Sequence, residues 1–251
     1  MISIQGLSLA LDGHLILADV SFKIRAKSVV ALMGPSGCGK STLLKALVGV
    51  LRCSEGHLLL SEGKSHLLMQ WNDQQKEFAL VPQSPLLLPW RTVLENILIA
   101  APEGGDKQQA IDKAKELLRR VELEGSQHLY PWQISQGMAA RVSLARTLMI
   151  KSGVLLLDEP FAAVDATTRF KLQRWLLELV DTLHQTAVLV THDPREALLV
   201  ADEILILNGK PARMIEHIEL PERSQRLLTD WIFGPSAGML EKKIRSALEK
   251  V

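Results

Sequence analysis

Cysteine is scarce in this chain: its 251 residues contain only Cys38 and Cys53. The pair has no metal-ligand spacing and reads as reduced thiols of a cytosolic protein. Charge of one sign is scarce too. The 29 Lys and Arg against 28 Asp and Glu leave a net charge of +1, too little for the basic field of a dedicated nucleic-acid binder, so no nucleic-acid partner is expected. No apolar run is long enough to span a bilayer, and no signal peptide opens the chain. There is no internal repeat, low-complexity tract or long heptad array. Apolar residues are plentiful, at 47%, and mean hydropathy is +0.12. Both values are high for a soluble domain and point to a partner surface. A chain of this length buries one large core, or one core with a lobe.

Two stretches carry chemistry. Gly34-Pro35-Ser36-Gly37-Cys38-Gly39-Lys40-Ser41 fits the phosphate-cradling pattern G-x-x-x-x-G-K-[ST]. Its glycines let the backbone turn successive N–H groups toward phosphate oxygens. Lys40 would reach the β- and γ-phosphates, and the Ser41 hydroxyl would hold Mg²⁺. The apolar run Val29–Met33 precedes the loop, and Leu43, Leu44, Leu47 and Val48 follow at helical spacing before Gly49. Strand, loop and helix thus come in the order the motif needs, and the helix N-terminus adds its dipole and free N–H groups. The second stretch is Val154-Leu155-Leu156-Leu157-Asp158-Glu159-Pro160, a buried strand delivering two carboxylates to a metal-nucleotide site. Cys38 lies inside the phosphate loop. Neighbouring positive charge would favour its oxidation, but an inert small residue filling the loop is the simpler reading.

The first third alternates as half-exposed antiparallel strands do, at Ile2 and Ile4 and at Val20, Phe22 and Ile24. Leu58-Leu59-Leu60 and Phe78-Ala79-Leu80-Val81 are further strand candidates. From Asp106, residues Ala110, Ile111, Ala114, Leu117, Leu118 and Val121 share one helical face, and Gly125 closes the segment. A second helix follows Ser135, an N-cap candidate, and βα alternation resumes at Val154. Asp193 and Glu196 make a capping-box pattern with Pro194 at the first helical position. His192 just before them follows the apolar run Ala187–Val190, at the carboxyl edge where open α/β sheets bind ligands. Trp175 and the leucines at 172, 176, 179 and 183 read as a helix core stripe. The fold class expected is α/β: a P-loop NTPase core, a mixed sheet flanked by helices, with an antiparallel β subdomain and an inserted helical subdomain. The expected division is a core of 1–83 and 151–215, a helical subdomain of 84–150 and a tail of 216–251.

Over almost its whole length the chain resembles the ATP-binding subunit of an ABC transporter. The phosphate loop and Leu155–Pro160 are two of that family's marks. Val81-Pro82-Gln83 resembles its glutamine loop. Ile134-Ser135-Gln136-Gly137-Met138 and Arg141–Arg146 resemble its signature motif and helix. Ala163-Val164-Asp165 resembles its aspartate loop, and Thr191-His192-Asp193 its switch histidine. The resemblance implies a homodimer that closes two ATP molecules between the phosphate loop of one subunit and the signature of the other. It implies ATP contacts from Gly34 to Ser41 and from Thr42, with Ser135 and Gly137 reaching the γ-phosphate from the opposite subunit. Mg²⁺ would be held by Ser41, Gln83 and Asp158. Glu159 would be the general base, Gln83 and His192 would sense the γ-phosphate, and Asp165 would communicate across the dimer. Transmembrane permease subunits are the implied partners, with a solute-binding protein acting indirectly. The implied location is peripheral, on the cytoplasmic face of the membrane.

Three departures stand out. Leu11-Asp12-Gly13 occupies the place where many members put an adenine-stacking aromatic, leaving apolar contact from Leu11. Gln136 stands where glycine is usual, at a cost of about 1 kcal/mol if that backbone position needs positive φ. Ala139-Ala140 replaces a common polar pair. None removes a group that hydrolyses ATP. Ser84–Asn96, the tail Leu220-Pro221-Glu222-Arg223 and the closing helix of Leu240, Ile244, Ala247 and Leu248 resemble the nitrate, sulfonate and taurine importer group. Some relatives of that group carry thiamine precursors. A chromosome-organising ATPase would carry a long coiled coil, a translation factor two cassettes, and a small-molecule kinase no signature. An exporter or lipoprotein-release ATPase shares all the marks and stays open as the alternative.

Overall fold

The computed structural model describes residues 2–59, 65–67, 77–223 and 231–249. It opens with a hairpin of β1 (Ile2–Leu11) and β2 (His14–Ile24) in which Ile2 faces Ile24 and Ile4 faces Phe22. Leu11 pairs with His14, and the two turn residues between them, Asp12 and Gly13, have φ of 49° and 77°. Positive φ at both central positions gives a primed turn, whose twist matches that of the strands. The departure at Leu11-Asp12-Gly13 is therefore a hairpin turn, with Leu11 36% exposed at its edge.

The strand β3 (Val29–Met33), buried at every position, leads through the phosphate loop into α1 (Lys40–Leu47). After it, β4 (Glu55–Leu59) and β5 (Ser65–Leu67) join the hairpin in a four-stranded antiparallel sheet of order β2-β1-β4-β5. Leu60, expected to extend β4, lies outside the described residues. The strand β6 (Phe78–Val81) is followed by a helical stretch of α2 (Val93–Leu98), α3 (Lys107–Arg120) and α4 (Gln136–Thr147). The α3 stripe is buried at Ala114, Leu117, Leu118 and Val121. The helix stops several residues before the expected Gly125: α3 ends at Arg120, and Glu122, with φ of 56°, makes the left-handed turn first.

Then come β7 (Val154–Asp158), α5 (Ala166–Leu183), β8 (Thr186–Val190), α6 (Pro194–Val200), β9 (Glu203–Asn208), β10 (Arg213–Glu219) and α7 (Pro235–Glu249). The second sheet runs β10-β9-β3-β8-β7-β6, parallel throughout except for antiparallel β10. β3, β7, β8 and β9 are buried on both faces, which is why they read as unbroken apolar runs. One core lies around α1 between the two sheets, with Leu7, Leu17, Leu43 and Leu47. A second joins the parallel sheet to α2–α5 through Val142, Leu155, Phe161 and Leu172. A third holds α6 and α7 on β3 and β9 through Leu198, Ile204, Ile206 and Ile244. Parallel strands put the carboxyl ends of β3, β6, β7 and β8 on one edge, and every motif following those strands arrives there.

The tail is tied to that sheet by Arg223. Its Nε and Nη2 donate to the two oxygens of Asp202 at 2.7 Å each, and Nη1 donates to Asp181 at 2.9 Å. Asp202 Oδ2 also accepts from Val29 N at 2.8 Å, fixing the start of β3. Burial opposes the Arg223 charge, yet the Asp202 and Asp181 carboxylates outweigh it and raise its pKa. Arg223→Met removes the cation from a half-buried carboxylate. Urea unfolding should show a loss of about 2–3 kcal/mol, since stranding one member of such a pair costs more than the pair contributes.

Candidate active site

The phosphate loop is shaped by close approach. A side chain at Gly34 would put its Cβ 2.4 Å from Leu207 O and 2.7 Å from Cys38 Sγ. Gly37 and Gly39 hold φ of 77° and 104°, and Gly39 lies against Ile16 and Leu17 of β2. Pro35 and Ser36 complete the turn, and Leu43 N closes α1 on Gly39 O at 2.8 Å. No acid stands in the first turn of α1 and no side chain caps it, so the N-terminus around Lys40, Ser41 and Thr42 is suited to an anion. Lys40 is buried, its Nζ donating to Gly34 O at 2.9 Å and Pro35 O at 2.8 Å. Cys38 is only 4% exposed, with Sγ 3.8 Å from Leu207 O. That burial supports the inert reading of this thiol. Burial also pushes the Cys53 thiol up to about 11.

Asp158 ends β7 and is 4% exposed. Burial raises its pKa, opposed by a hydrogen bond from Ser41 and by the Lys45 and Lys40 charges. Its Oδ1 is buried and has no hydrogen-bond partner. An orphaned carboxylate oxygen beside a hydroxyl suits a hard divalent cation that keeps several waters and takes phosphate oxygens as further ligands. Among the described residues no three His, Cys, Asp or Glu side chains gather as an all-protein metal cage.

Glu159 follows in a left-handed backbone, φ 49°, with its N–H on Val190 O at 3.2 Å. Such a conformation in a non-glycine residue is costly and re-aims the side chain relative to Asp158. Its Oε2 accepts from Gln83 Nε2 at 3.3 Å, and its Oε1 lies 3.6 Å from His192 Nδ1. Gln83, Glu159 and His192, contributed by the segments after β6, β7 and β8, therefore meet at one point of the sheet edge. His192 is poised by the start of α6, where Asp193 Oδ1 caps Arg195 N at 2.9 Å and Asp193 N reaches Thr191 Oγ1 at 3.1 Å. Pro194 sits in the first helical turn as expected. The expected capping box is not made: Glu196 turns inward and accepts from Gln173 Nε2 of α5 at 2.8 Å. The buried amide of Gln173 takes Glu196, while the Asp193 N–H that a capping box would use already donates to Thr191 Oγ1.

Ser135 and Gly137 lie elsewhere. Ser135 caps α4, its Oγ accepting from Met138 N at 3.2 Å. Gly137 packs on the aspartate loop, where an added Cβ would stand 2.6 Å from Ala163 O. Asp165 in turn caps α5 through Thr168 N at 3.0 Å, and that bond holds its carboxyl below the usual range. Gln136, exposed in the first turn of α4, is not among the positive-φ residues. The anticipated backbone strain is therefore absent there, because a helix N-terminus accepts any L-residue, and the demand for glycine falls on position 137. Gly137→Ala should lower ATP turnover about ten-fold or more while nucleotide binding to the phosphate loop stays within two-fold. A shift of the aspartate loop by tenths of an ångström disturbs geometry, not affinity; steady-state hydrolysis and a nucleotide titration separate the two.

Two clamps were not anticipated. Arg146, near the end of α4, donates to Pro85 O at 2.8 Å and Leu86 O at 2.9 Å, gripping the loop after Gln83. Buried Asn96 holds the same loop through Leu88 N at 2.8 Å and Leu88 O at 3.2 Å. Leu87 packs into the core, whereas Leu86 and Trp90 are 68% and 70% exposed. The signal for Asn96 was a carboxamide on the apolar face of a helix. Arg146 gave none beyond its place in the signature helix.

The sequence profile of the ABC transporter family matches residues 17–162. The chain is 37% identical over 221 residues to the taurine import ATP-binding protein TauB of Yersinia pestis bv. Antiqua, covering 88% of this chain and 84% of that one. It is 40% identical over 212 residues to the aliphatic sulfonates import ATP-binding protein SsuB 2 of Pseudomonas syringae pv. tomato, covering 84% and 83%. Among solved structures it superposes on the dimeric, post-hydrolysis ATP-binding cassette MJ0796 bound to ADP and Pi with a TM-score of 0.79 and 27% identity, covering 88% of this chain and all of that one. The chain belongs to the ABC transporter family, as an ATPase with the family's P-loop α/β fold.

Proposed function

We propose that this ATPase powers an importer of small anions of the taurine or alkanesulfonate type, working as a homodimer beneath a transmembrane permease. The relatives named as taurine and sulfonate import proteins support the cargo class, and they do not favour the export or lipoprotein-release alternative. Among the described residues no helix is long and apolar enough to cross a membrane. Like the import ATP-binding relatives it resembles, the chain would attach peripherally, at the cytoplasmic face, with a solute-binding protein acting through the permease. Residues 84–150 would form a helical lobe that moves against a core of 1–83 and 151–215, with 216–251 as the tail. Leu86 and Trp90, exposed on a loop clamped between Gln83 and Arg146, would meet the permease.

The observation that carries the catalytic reading is the convergence of Gln83 and His192 on the Glu159 carboxylate, beside the Asp158–Ser41 pair. Gly34 to Thr42 would wrap the phosphates, with Lys40 exchanging its carbonyl partners for phosphate oxygens. Ser41, Asp158 and Gln83 would hold Mg²⁺, which neutralises phosphate charge when bound. Glu159 would take the proton of the attacking water, oriented by Gln83, while His192 faces the γ-phosphate. Ser135 and the N–H of Gly137, pointing from the N-terminus of α4, would cover that phosphate from the opposite subunit. The test is reconstitution with the permease in proteoliposomes. Hydrolysis should rise with solute-binding protein loaded with taurine or an alkanesulfonate. Stimulation by a neutral solute and by no sulfonate would overturn the cargo assignment.

A further inference from the structure

Behind the catalytic carboxylate lies a cavity of about 70 Å³, walled by Glu159, Phe161, Ala162, Arg169, Thr191, His192, Asp193 and Glu196. Of these, Arg169 is the cation without a place in the reaction as described. It projects from the first turn of α5, directly after the aspartate loop. Its Nη2 donates to Val164 O of that loop at 2.9 Å. Its Nε is buried and has no hydrogen-bond partner. Three carboxylates border the same cavity. That of Asp193 is engaged in capping α6, and that of Glu159 meets Gln83 and His192. Glu196, 9% exposed, accepts from the uncharged Gln173, and among the described residues no salt bridge reaches it.

A buried donor and a buried anion on one small polar cavity belong together. A volume of this size holds one or two waters, and two or more polar partners are what such waters need. We propose that Arg169 is a positioning residue for hydrolysis. One end of its guanidinium fixes the aspartate loop. The other, through water in the cavity, fixes the wall formed by Glu196, His192 and Glu159. A charged head with several donors can hold a carbonyl and face an anion at once, which a guanidinium does and an ammonium with three donors can also do. The switch histidine and the aspartate loop are thereby set by a single group. When the aspartate loop moves against a second subunit, the wall carrying the base moves with it. This rests on the reading of Glu159 as the base.

The test compares Arg169→Met and Arg169→Lys with the natural chain, all purified at full length. Thermal unfolding, ATP affinity from a fluorescent-nucleotide titration, and steady-state kcat are the three measurements. Methionine keeps the apolar stem without the charge; lysine keeps the charge and three donors. The expected result is a kcat at least ten-fold lower in Arg169→Met with ATP affinity within two-fold, and recovery in Arg169→Lys to within about three-fold of the natural value. A natural kcat in Arg169→Met overturns the proposal. So does an equal loss in both variants, or a loss of affinity in step with kcat, because either marks a packing role only. If Arg169→Met does not fold, Arg169→Lys decides: kcat within three-fold supports the proposal, and a ten-fold loss overturns it. Glu159→Gln, run alongside, separates the two readings. Natural turnover there removes the base assignment and leaves the Arg169 comparison readable by itself.

Discussion

Glu159→Gln is expected to slow ATP turnover by about 10²–10⁴-fold while ATP binding stays unchanged or tightens, the range a positioned general base contributes. Three features of the site lead to this. The substitution is close to isosteric, so the left-handed backbone at 159 and the approach to Gln83 and His192 are kept. The carboxylate is one of two acids side by side, next to the place where a triphosphate would lie. Removing its charge relieves repulsion in the ground state, so affinity does not suffer. What is lost is the ability to accept a proton. The variant should therefore accumulate an ATP-dependent dimer on gel filtration, since closure no longer leads to hydrolysis. The natural protein should show little of that species at the same nucleotide concentration. Turnover within three-fold of natural would transfer the base role to another group, of which His192 is the nearest.

What was legible in the sequence followed from burial on both faces. β3, β7 and β8 are unbroken apolar runs because the sheet hides both their sides. The phosphate loop was legible because Gly34 answers to a close approach of the Leu207 backbone and Gly39 to a φ of 104°, both of which call for glycine. What escaped notice involved partners far apart in the chain. Glu196 looks like half of a capping box until Gln173, 23 positions earlier, comes to lie beside it. Arg146 grips carbonyls some 60 residues away. Neither pairing leaves a periodic trace, because it depends on how α5 meets α6 and how α4 meets the loop after β6. The departure at Gln136 misled for a different reason. Glycine at the neighbouring position answers to a carbonyl 2.6 Å from its missing Cβ, and Gln136 itself carries no such restriction.

The other large effect is expected of Lys40→Ala, and it differs from Glu159→Gln in which measurement moves. Lys40 Nζ now spans two carbonyl oxygens of its own loop, Gly34 O and Pro35 O. Those carbonyls turn inward and carry partial negative charge. Without the ammonium they would repel a triphosphate, so alanine removes an attraction and exposes an opposing field. Charge-assisted contacts to phosphate are among the stronger hydrogen bonds, and two of them lost correspond to about 3 kcal/mol or more. ATP affinity should fall at least 100-fold, which converts to about 2.7 kcal/mol. Turnover should become undetectable, and no ATP-dependent dimer should form even in the Glu159→Gln background. Folding should be little affected, since the loop N–H groups remain and the carbonyls of Gly34 and Pro35 gain access to water. A fluorescent-nucleotide titration and a thermal unfolding curve on the same preparation check both halves. ATP affinity within three-fold of natural would show that Lys40 is a loop-closing strut, with the phosphates held by backbone N–H groups alone.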